Sequence, residues 1–415
     1  MPVPTRAEVV VVGAGLAGLS AAIRLRAAGC DVQMLESGGH AGGRLATDRI
    51  DGFVVDRGFQ VLNAGYPRAA DLDLPALELG WFLRGAVLRV DGRVHRVVDP
   101  RSRLAAAPGT IAAPLGSLRE KAALLAFSLR AGYSPVRRSL RRPDRPAEQA
   151  LRDAGIGEQA LERFLRPFLA GVLLERELVT SGHYVDLLWR SFVRGRIGLP
   201  AGGMQAIGAQ LAARVGADRV HLDTPVRSVA PGAVTTDEGV LRSDAVVVAT
   251  DPGTAARLLP RIEASAPRQV TTHLHVLPAS PWHEPLIVLG QPGGRLVNSV
   301  VLTDAQPRYS PDGRALVASS TLCPTSEAEV RAEVAAAHGV GSSDLEHLTT
   351  VTVTGAQPAA LPPLALRRPV DLGDGIYVCG DHRDTPSIQG AMASGARTAR
   401  AVLRALRPSA VPRGA

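Results

Sequence analysis

The first forty residues combine unbroken apolar runs with a segment of helical periodicity. Residues 9–12 are four consecutive valines, as in a parallel strand that is buried on both faces. Residues 16–28 are rich in alanine and leucine at helical spacing, and residues 31–35 repeat the strand pattern. The pattern therefore predicts a strand, a tight turn, a helix and a second parallel strand.

Three glycines occupy the turn at the spacing G-x-G-x-x-G. Gly13 permits a sharp turn out of the strand, Gly15 lets a pyrophosphate approach the backbone, and Gly18 lets the helix lie close to the sheet. Ala17 belongs to the same predicted phosphate-binding turn. Glu36 ends the second strand, about 20 residues beyond the glycines, where a carboxylate accepts hydrogen bonds from an adenosine ribose. The stretch predicts a dinucleotide site, and the carboxylate disfavours NADP.

The rest of the chain divides into regions of different periodicity. Residues 66–190 have helix-like segments broken by prolines, with a capping box at residues 117–120. Residues 263–355 have short strand-like runs around one helix at residues 326–338, which is typical of a mostly antiparallel sheet with helical cover. Residues 244–250 predict a further buried strand of the nucleotide-binding sheet.

Two more motifs lie at opposite ends of the chain. The loop SGGHAGGRLATD carries Gly43 and Arg44, so that Glu36 begins the pattern E-x-x-x-x-x-G-G-R. The segment GIYVCGDHRDTPSIQGA joins a predicted strand to Gly380, Asp381 and a helix. These motifs resemble the flavin amine oxidase superfamily. The phrases FLRPFLAGV and PAGGM bring the chain closest to the phytoene desaturase and protoporphyrinogen oxidase-like branch.

The resemblance implies FAD as the cofactor, held non-covalently because no cysteine lies in the family's attachment context. It implies that Arg44 lies beside the pyrophosphate, that the backbone of Val226 bonds the adenine, and that Asp381 bonds the ribityl chain or the pyrophosphate. The helix that follows Asp381 would point its positive N-terminal end at the flavin. The predicted cofactor contacts are Gly13, Gly15, Ala17, Gly18, Glu36, Gly43, Arg44, Val226, Gly380, Asp381, Ile388 and Gln389.

The implied fold class is α/β, with a Rossmann-type FAD-binding domain and an inserted α+β substrate domain, as in amine oxidases and phytoene desaturases. A chain of 415 residues fits two domains. We assign residues 1–65, 195–262 and 365–415 to the discontinuous FAD-binding domain. Residues 66–194 and 263–364 form the predicted substrate domain.

The chain departs from the amine oxidases at two positions. The lysine that many of them hold near flavin N5 has no good counterpart, because the only lysine, Lys121, lies in an arginine-rich helical region. Ser387 stands where an aromatic cage residue would precede the last helix. No catalytic base can be assigned. The weak candidates are His382, Asp384 and Ser387, which follow the second flavin motif.

Three functions are compatible with these motifs. The first is an FAD-dependent oxidoreductase, dehydrogenase or desaturase-like, that acts on C–C bonds of an apolar polyene or isoprenoid-like substrate by desaturation or flavin-assisted isomerisation. The second is an amine or amino-acid oxidase with an arginine as carboxylate clamp. The third is a non-catalytic flavin-binding partner protein. Since the sequence has neither a second nucleotide motif nor paired redox cysteines, we expect oxygen or a quinone-like carrier to accept the electrons.

Charge and composition constrain partners and compartment. The net charge is +8, but aromatic residues are only 4% and no nucleic-acid-binding signature is present, so we expect no nucleic acid partner. The basic stretch at residues 137–145 is either a solvated helix end or a peripheral contact with an anionic membrane. No apolar run has the length of a membrane span and no signal peptide is evident, which predicts a cytoplasmic protein.

Cysteine and histidine usage predicts neither disulfides nor a metal. Cys30, Cys323 and Cys379 share no C-x-x-C spacing, and each is interpreted as a small core residue. His273 and His275 alternate in a predicted strand, but nothing nearby in the sequence completes a metal site.

Overall fold

The computed structural model describes residues 4–407, and its strands form two seven-stranded sheets and two smaller ones. In chain order the strands are β1 Arg6–Val12, β2 Val32–Leu35, β3 Thr47–Ile50, β4 Phe53–Asp56, β5 Leu62–Asn63, β6 Gly80–Trp81, β7 Gly85–Val90, β8 Arg93–Val98, β9 Ile197–Leu199, β10 Val220–His221, β11 Val226–Ala230, β12 Ala233–Thr236, β13 Gly239–Val248, β14 Pro267–Leu277, β15 Ile287–Leu289, β16 Asn298–Val301, β17 Ala315–Thr321, β18 Glu346–Pro358 and β19 Ile376–Val378. The α-helices are α1 Leu16–Ala27, α2 Ala107–Ala112, α3 Leu118–Tyr133, α4 Val136–Leu140, α5 Ala147–Asp153, α6 Glu158–Ala160, α7 Arg166–Leu173, α8 Gly182–Arg194, α9 Gln205–Val215, α10 Pro252–Leu258, α11 Leu302–Ala305, α12 Glu327–His338 and α13 Ile388–Leu406.

The first sheet has the order β10-β2-β1-β13-β12-β11, with β19 beside β13. β1 lies parallel to β2 and β13, and β13 lies parallel to β19. Both faces of β1 are covered. Val9 and Val11 pack in the core with α1, α9 and α13, whereas Val10 and Val12 pack on the other face with α10. This two-sided burial explains why the strand is an unbroken apolar run.

The two ends of the described chain pack together. A Cβ atom on Gly395 in α13 would lie 2.1 Å from the carbonyl oxygen of Ala17 in α1. The hydroxyl of Ser20 donates to the carbonyl of Met392 at 2.8 Å. The glycine turn and the C-terminal motif therefore meet on one face of the first sheet.

The second sheet has the order β18-β14-β17-β16-β15-β7-β8. Its neighbouring strands are antiparallel except β15 and β7, which are parallel. Val330 and Val334 of α12 pack in the core on one face of this sheet. The predicted antiparallel sheet with one covering helix is confirmed.

The prediction of helix-like structure throughout residues 66–190 is wrong for the hairpin β7–β8. Asp91 and Gly92 have φ angles of 50° and 74°, the left-handed values of a tight hairpin turn. The sequence GAVLRV-DG-RVHRVV carries the signal, because alternating residues flank an Asp-Gly pair. The capping box is confirmed, since Ser117 Oγ accepts from the backbone N–H of Glu120 at 3.3 Å where α3 begins.

The predicted α/β class is confirmed, but the domain boundaries stay a prediction, and parts of the ranges 1–65 and 365–415 lie outside the described residues. Strands of the first sheet fall within residues 6–35, 220–248 and 376–378. Cys30 and Cys379 are buried as predicted, whereas Cys323 is exposed, because it follows the end of β17. No helix among residues 4–407 is both long and apolar enough to cross a bilayer.

Candidate functional site

The three glycines of the turn between β1 and α1 have different structural environments. Gly13 has a φ angle of +102°, which non-glycine residues rarely adopt. A Cβ on Gly18 would lie 2.1 Å from the carbonyl oxygen of Gly13, so that only glycine lets α1 approach this closely. A Cβ on Gly15 would meet no atom within 4 Å. Gly15 thus faces open space at the start of α1, which has no side-chain cap and no acidic residue in its first turn.

Glu36 holds the turn from the end of β2. Its Oε2 accepts from the backbone N–H of Ala14 at 2.7 Å, and its Oε1 accepts from that of Gly38 at 2.9 Å. The carbonyl of Glu36 accepts from the N–H of Thr224 at 2.7 Å, two residues before the half-buried Val226. The residues predicted to contact adenosine therefore lie close together.

The loop with Gly43 and Arg44 lies against the glycine turn. A Cβ on Gly43 would be 3.1 Å from the Cα of Gly15. The guanidinium of Arg44 lies 2.7 Å from Asp381 Oδ1 and donates to the carbonyl of Ala356, in β18, at 2.8 Å. Arg44 therefore connects the two predicted flavin motifs to the second sheet.

The second motif lies between β19 and α13. The N–H of Gly380 donates to Ser394 Oγ at 3.0 Å, and the side chain of Asp381 is buried. At the start of α13, Ile388 packs against the core beside α1, and Gln389 Oε1 accepts from the N–H of Arg68 at 2.8 Å. Gln389 Oε1 thus already accepts one hydrogen bond, and the contact that the resemblance implies for Gln389 stays a prediction.

These residues fit a flavin dinucleotide. Gly15 leaves room at a helix N-terminus for a phosphate. His382, beside the second motif, is buried, and both of its ring nitrogens have no hydrogen-bond partner within residues 4–407. Burial lowers the pKa of His382 to about 4, so the ring is neutral near pH 7. A ligand that offers a polar group here would satisfy a buried nitrogen.

The candidate catalytic residues have structural contacts. Ser387 Oγ caps α13 by accepting from the N–H of Gly390 at 3.0 Å. Asp384 is paired with Arg397 at 3.2 Å, and burial raises the pKa of Asp384. Catalysis by Ser387, Asp384 or His382 stays a prediction, and these contacts do not add support for it.

Two tyrosines near the second motif were not found from the sequence. The hydroxyl of Tyr184, in α8, donates to the carbonyl of Pro386 at 2.8 Å. Burial raises the pKa of Tyr184, with further contributions from Tyr66 and Asp381. Desolvation raises the pKa of the half-buried Tyr66 to about 12. No local signal marks these tyrosines, because they come from distant segments that meet only in the fold.

Four aromatic residues of α7, α8 and the turn before α7 form an aromatic wall. The ring centroids of Phe168 and Phe192 are 5.3 Å apart, and those of Phe168 and Trp189 are 5.8 Å apart. Phe164 stacks on Phe168 at 6.0 Å. The three phenylalanines are half-buried, so each keeps an accessible apolar surface. Since Tyr184 shares α8 with Trp189 and Phe192, this wall begins within about two helical turns of the second motif.

The carboxylates buried in the described part of the chain are engaged. Asp56 accepts from Thr47 Oγ1, from Tyr309 Oη and from the N–H of Met204. Glu175 accepts from two backbone N–H groups, and Asp381 is paired with Arg44. Each of these three therefore already has hydrogen-bond or ionic partners within the described residues.

Two basic groups, the guanidinium of Arg383 and the ammonium of Lys121, are engaged too. The buried guanidinium of Arg383 donates to the carbonyl of Pro369, and the ammonium of Lys121 donates to that of Ile111 at 2.6 Å. No group of three or more metal-ligating side chains occurs in residues 4–407, and His275 instead lies 2.9 Å from Glu327.

Comparison with known proteins identifies the family. The family model described as flavin containing amine oxidoreductase matches residues 16–403. Putrescine oxidase of Kocuria rosea is 30% identical over 300 residues, which cover 62% of this chain and 60% of that protein. 4,4'-Diapolycopene oxygenase of a Methylomonas species is 50% identical over 56 residues, or 14% of this chain and 11% of that protein. The chain thus spans about three fifths of the length of the first relative and far less of the second.

The fold agrees with solved structures. An oxidoreductase from Methanosarcina mazei superposes with a TM-score of 0.72 at 19% identity, covering 95% of this chain and all of that one. The predicted resemblance, the two-domain fold class and the FAD cofactor are confirmed. The chain belongs to the flavin containing amine oxidoreductase family and is an FAD-dependent oxidoreductase.

Proposed function

We propose that this oxidoreductase acts on C–C bonds of an apolar, polyene or isoprenoid-like substrate, by desaturation or flavin-assisted isomerisation. The observation that carries the proposal is the aromatic wall. Its three half-buried phenylalanines contact one another, and α8, which carries one of them, reaches the second flavin motif through Tyr184. A long apolar substrate gains about 0.8 kcal/mol for each buried CH₂ group, so such a surface favours it.

The engaged charges support the same choice. A diamine carries a second ammonium group, whose burial requires a free carboxylate. Asp56, Glu175 and Asp381 already accept hydrogen bonds or an ion pair. An amino acid would need a free cation for its carboxylate, and the guanidinium of Arg383 is bonded to a backbone carbonyl. An uncharged substrate needs neither a free carboxylate nor a free cation.

The bound FAD would supply the two-electron chemistry, and the chain's own residues would bind and orient both partners. In this proposal Glu36 and Val226 hold the adenosine, and Gly15 and Arg44 hold the pyrophosphate. Asp381 and the start of α13 hold the flavin end. The aromatic wall positions the substrate and excludes water, and oxygen or a quinone-like carrier accepts the electrons.

The proposal is tested by anaerobic reduction of the FAD-loaded protein with carotenoid precursors, simple amines and amino acids, followed by product analysis. We expect an apolar polyene to bleach the flavin or to be isomerised. The double variant Phe168→Ala/Phe192→Ala should weaken that response and leave FAD binding unchanged. Trp282→Ala, which removes a half-buried aromatic residue beside α12 together with its hydrogen bond to His338, is a control, and melting curves verify that each variant is folded.

The second candidate, an amine oxidase, is favoured by one observation, the 300-residue alignment with putrescine oxidase. Rapid, saturable bleaching by an amine, with no response to any apolar compound, would establish it and overturn the first proposal. Because the family makes the chain an oxidoreductase, the non-catalytic alternative has no support.

A further inference from the structure

One region of the surface exposes many large apolar side chains. Exposed large hydrophobic residues concentrate between residues 104 and 140, where Leu104 is 81% and Leu118 is 75% exposed. We call the following set the apolar face: Leu104, Ile111, Leu118, Leu125, Leu129 and Tyr133. The exposed residues between positions 104 and 112 are all apolar as well. A water-soluble surface has no need of so many exposed aliphatic side chains in one segment.

The geometry of α3 makes this surface continuous. Leu118, Leu125, Leu129 and Tyr133 recur at intervals of seven, four and four residues, so they share one side of a helix about 24 Å long. The opposite side carries the buried Phe127, which packs in the core with α8. α3 therefore buries one side in the protein and presents an apolar side outward.

Cationic groups lie at the C-terminal end of this face. Arg137, Arg138, Arg141 and Arg142 are exposed, and their side chains make no ion pair within residues 4–407. Residues 101–145 contain nine arginines and one lysine against two carboxylates.

Both carboxylates of this segment are already engaged. Glu120 Oε2 accepts from the N–H of Ser117 at 2.6 Å. Asp144 accepts from Ser181 Oγ at 2.8 Å and from the N–H of Leu364 at 2.8 Å. Two carboxylates also cannot balance the ten cationic side chains of residues 101–145, so this segment keeps a net positive charge.

We propose that the apolar face and these four arginines attach the protein reversibly to an anionic membrane surface. The aliphatic side chains enter the boundary between headgroups and acyl chains, and the guanidinium groups bind lipid phosphates. Charge complementarity favours an anionic membrane over a second copy of the chain as the partner of the apolar face. A second copy docked face to face would offer only the same excess of positive charge, whereas an anionic lipid surface offers phosphates to the arginines. The proposal does not depend on the identity of the substrate.

Vesicle flotation with the FAD-loaded full chain tests the proposal, using phosphatidylcholine vesicles with and without phosphatidylglycerol. We expect binding to the anionic vesicles, weakened by salt because the Debye length is about 8 Å at physiological ionic strength. The variant with Arg137, Arg138, Arg141 and Arg142 changed to Gln should partition at least about tenfold more weakly. Its control changes four other exposed arginines without ion pairs to Gln: Arg49, Arg242, Arg400 and Arg404.

The apolar contribution is tested by Leu125→Ser/Leu129→Ser, which should also weaken binding at least about tenfold. Val240→Ser/Leu361→Ser, at exposed apolar positions elsewhere, is its control and should bind like the wild type. All four positions are exposed, so an unchanged melting temperature verifies folding. Equal binding to both vesicle types, equal loss in variants and controls, or absence of binding would each overturn the proposal. Self-association that Leu125→Ser/Leu129→Ser abolishes, without vesicle binding, would assign the face to a second copy.

Discussion

The two seven-stranded sheets have different interiors. The strands at the centre of the first sheet, β1 and β13, bury valine after valine, and their chemistry lies in the turns beyond the strand ends. The second sheet buries polar side chains within its strands β14, β16 and β17: Thr271, Thr272, His273, His275, Asn298, Ser299, Ser319, Ser320 and Thr321. The centre of the first sheet is thus mostly apolar, with Ser243 as a buried polar exception, and it carries a backbone-lined cofactor site. The second carries hydrogen-bonding groups inside its body.

The polar side chains of the second sheet differ in how well they are satisfied. Ser299 Oγ lies 2.7 Å from Ser319 Oγ and 2.7 Å from His338 Nε2 of α12. On the other face, Thr272 Oγ1 and Asn298 Oδ1 have no partner in the part of the chain that the structure describes. Removing a polar atom should therefore have opposite effects at Ser299, which is partnered, and at Thr272, which is not.

The largest effects should come from the glycine turn of the first sheet. Gly18→Ala places a methyl group 2.1 Å from the carbonyl oxygen of Gly13, and it should destabilise the apoprotein by about 3 kcal/mol and abolish FAD binding. Gly15→Ala meets no protein atom, so it should leave the melting temperature of the apoprotein unchanged and still weaken FAD binding. Melting curves and FAD titrations measure both variants. Equal melting temperatures for the two would contradict the different roles of these glycines.

The free energy of unfolding should decrease at acid pH because of a buried histidine that packs against the second sheet. Trp282 Nε1 donates to His338 Nδ1 at 2.8 Å, so the ring must be neutral to accept this bond. Burial lowers the pKa of His338 to about 4, against about 6.5 in the unfolded chain. Between these values the unfolded chain binds a proton that the folded protein does not. Stability is therefore complete above pH 6.5 and decreases as the pH falls towards 4, by about 3 kcal/mol from this group.

His273, whose pKa burial also lowers to about 4, adds to this decrease. Denaturant unfolding as a function of pH measures it, with tryptophan fluorescence as the signal. His338→Gln keeps an acceptor for Trp282 without a titrating group, so its free energy of unfolding should vary less over the same range. An identical pH dependence in the variant would refute the assignment to His338.

A substitution of Glu36, at the cofactor end of the first sheet, should weaken FAD binding less than the substitution of Gly18. Glu36→Gln removes the negative charge that we expect to accept the ribose hydroxyls, and it should weaken FAD binding by about 1.5 to 3 kcal/mol. Asp223→Asn changes an exposed carboxylate in the neighbouring segment and is the control. If titration of the apoprotein gives the same dissociation constant for Glu36→Gln and wild type, the ribose is bound elsewhere.

The smallest expected effects separate a partnered hydroxyl from an unpartnered one in the second sheet. Ser299→Ala removes a hydrogen bond to His338 and should cost about 1 kcal/mol of stability. Thr272→Val replaces a buried, unpartnered hydroxyl with a methyl group and should be neutral or stabilising. Denaturant unfolding of both variants gives the sign. A loss for Thr272→Val as large as that for Ser299→Ala would mean that the hydroxyl has a partner.

The features that the sequence predicted are those whose cause is local. Gly13, Gly18 and Glu36 act within one strand-turn-helix unit, so their spacing predicts their geometry. The hairpin β7–β8 was also predictable from its Asp-Gly turn, and the helical reading of that region missed it. The approach of Tyr184 to Pro386 has no local cause. It depends on how α8 packs against a segment that is distant in sequence, and no periodicity encodes that contact.

The packing of α13 against α1 has a consequence for biosynthesis. β1 and the glycine turn are synthesised before β13 and β19, which complete the sheet beside them more than two hundred residues further on. At roughly 5 to 20 residues per second, the first turn waits tens of seconds for β19. FAD can therefore be captured fully only after almost all of the described chain has been synthesised. Until then an apolar strand and helix lack their neighbours, which makes this the interval in which a chaperone would most improve the yield of folded protein.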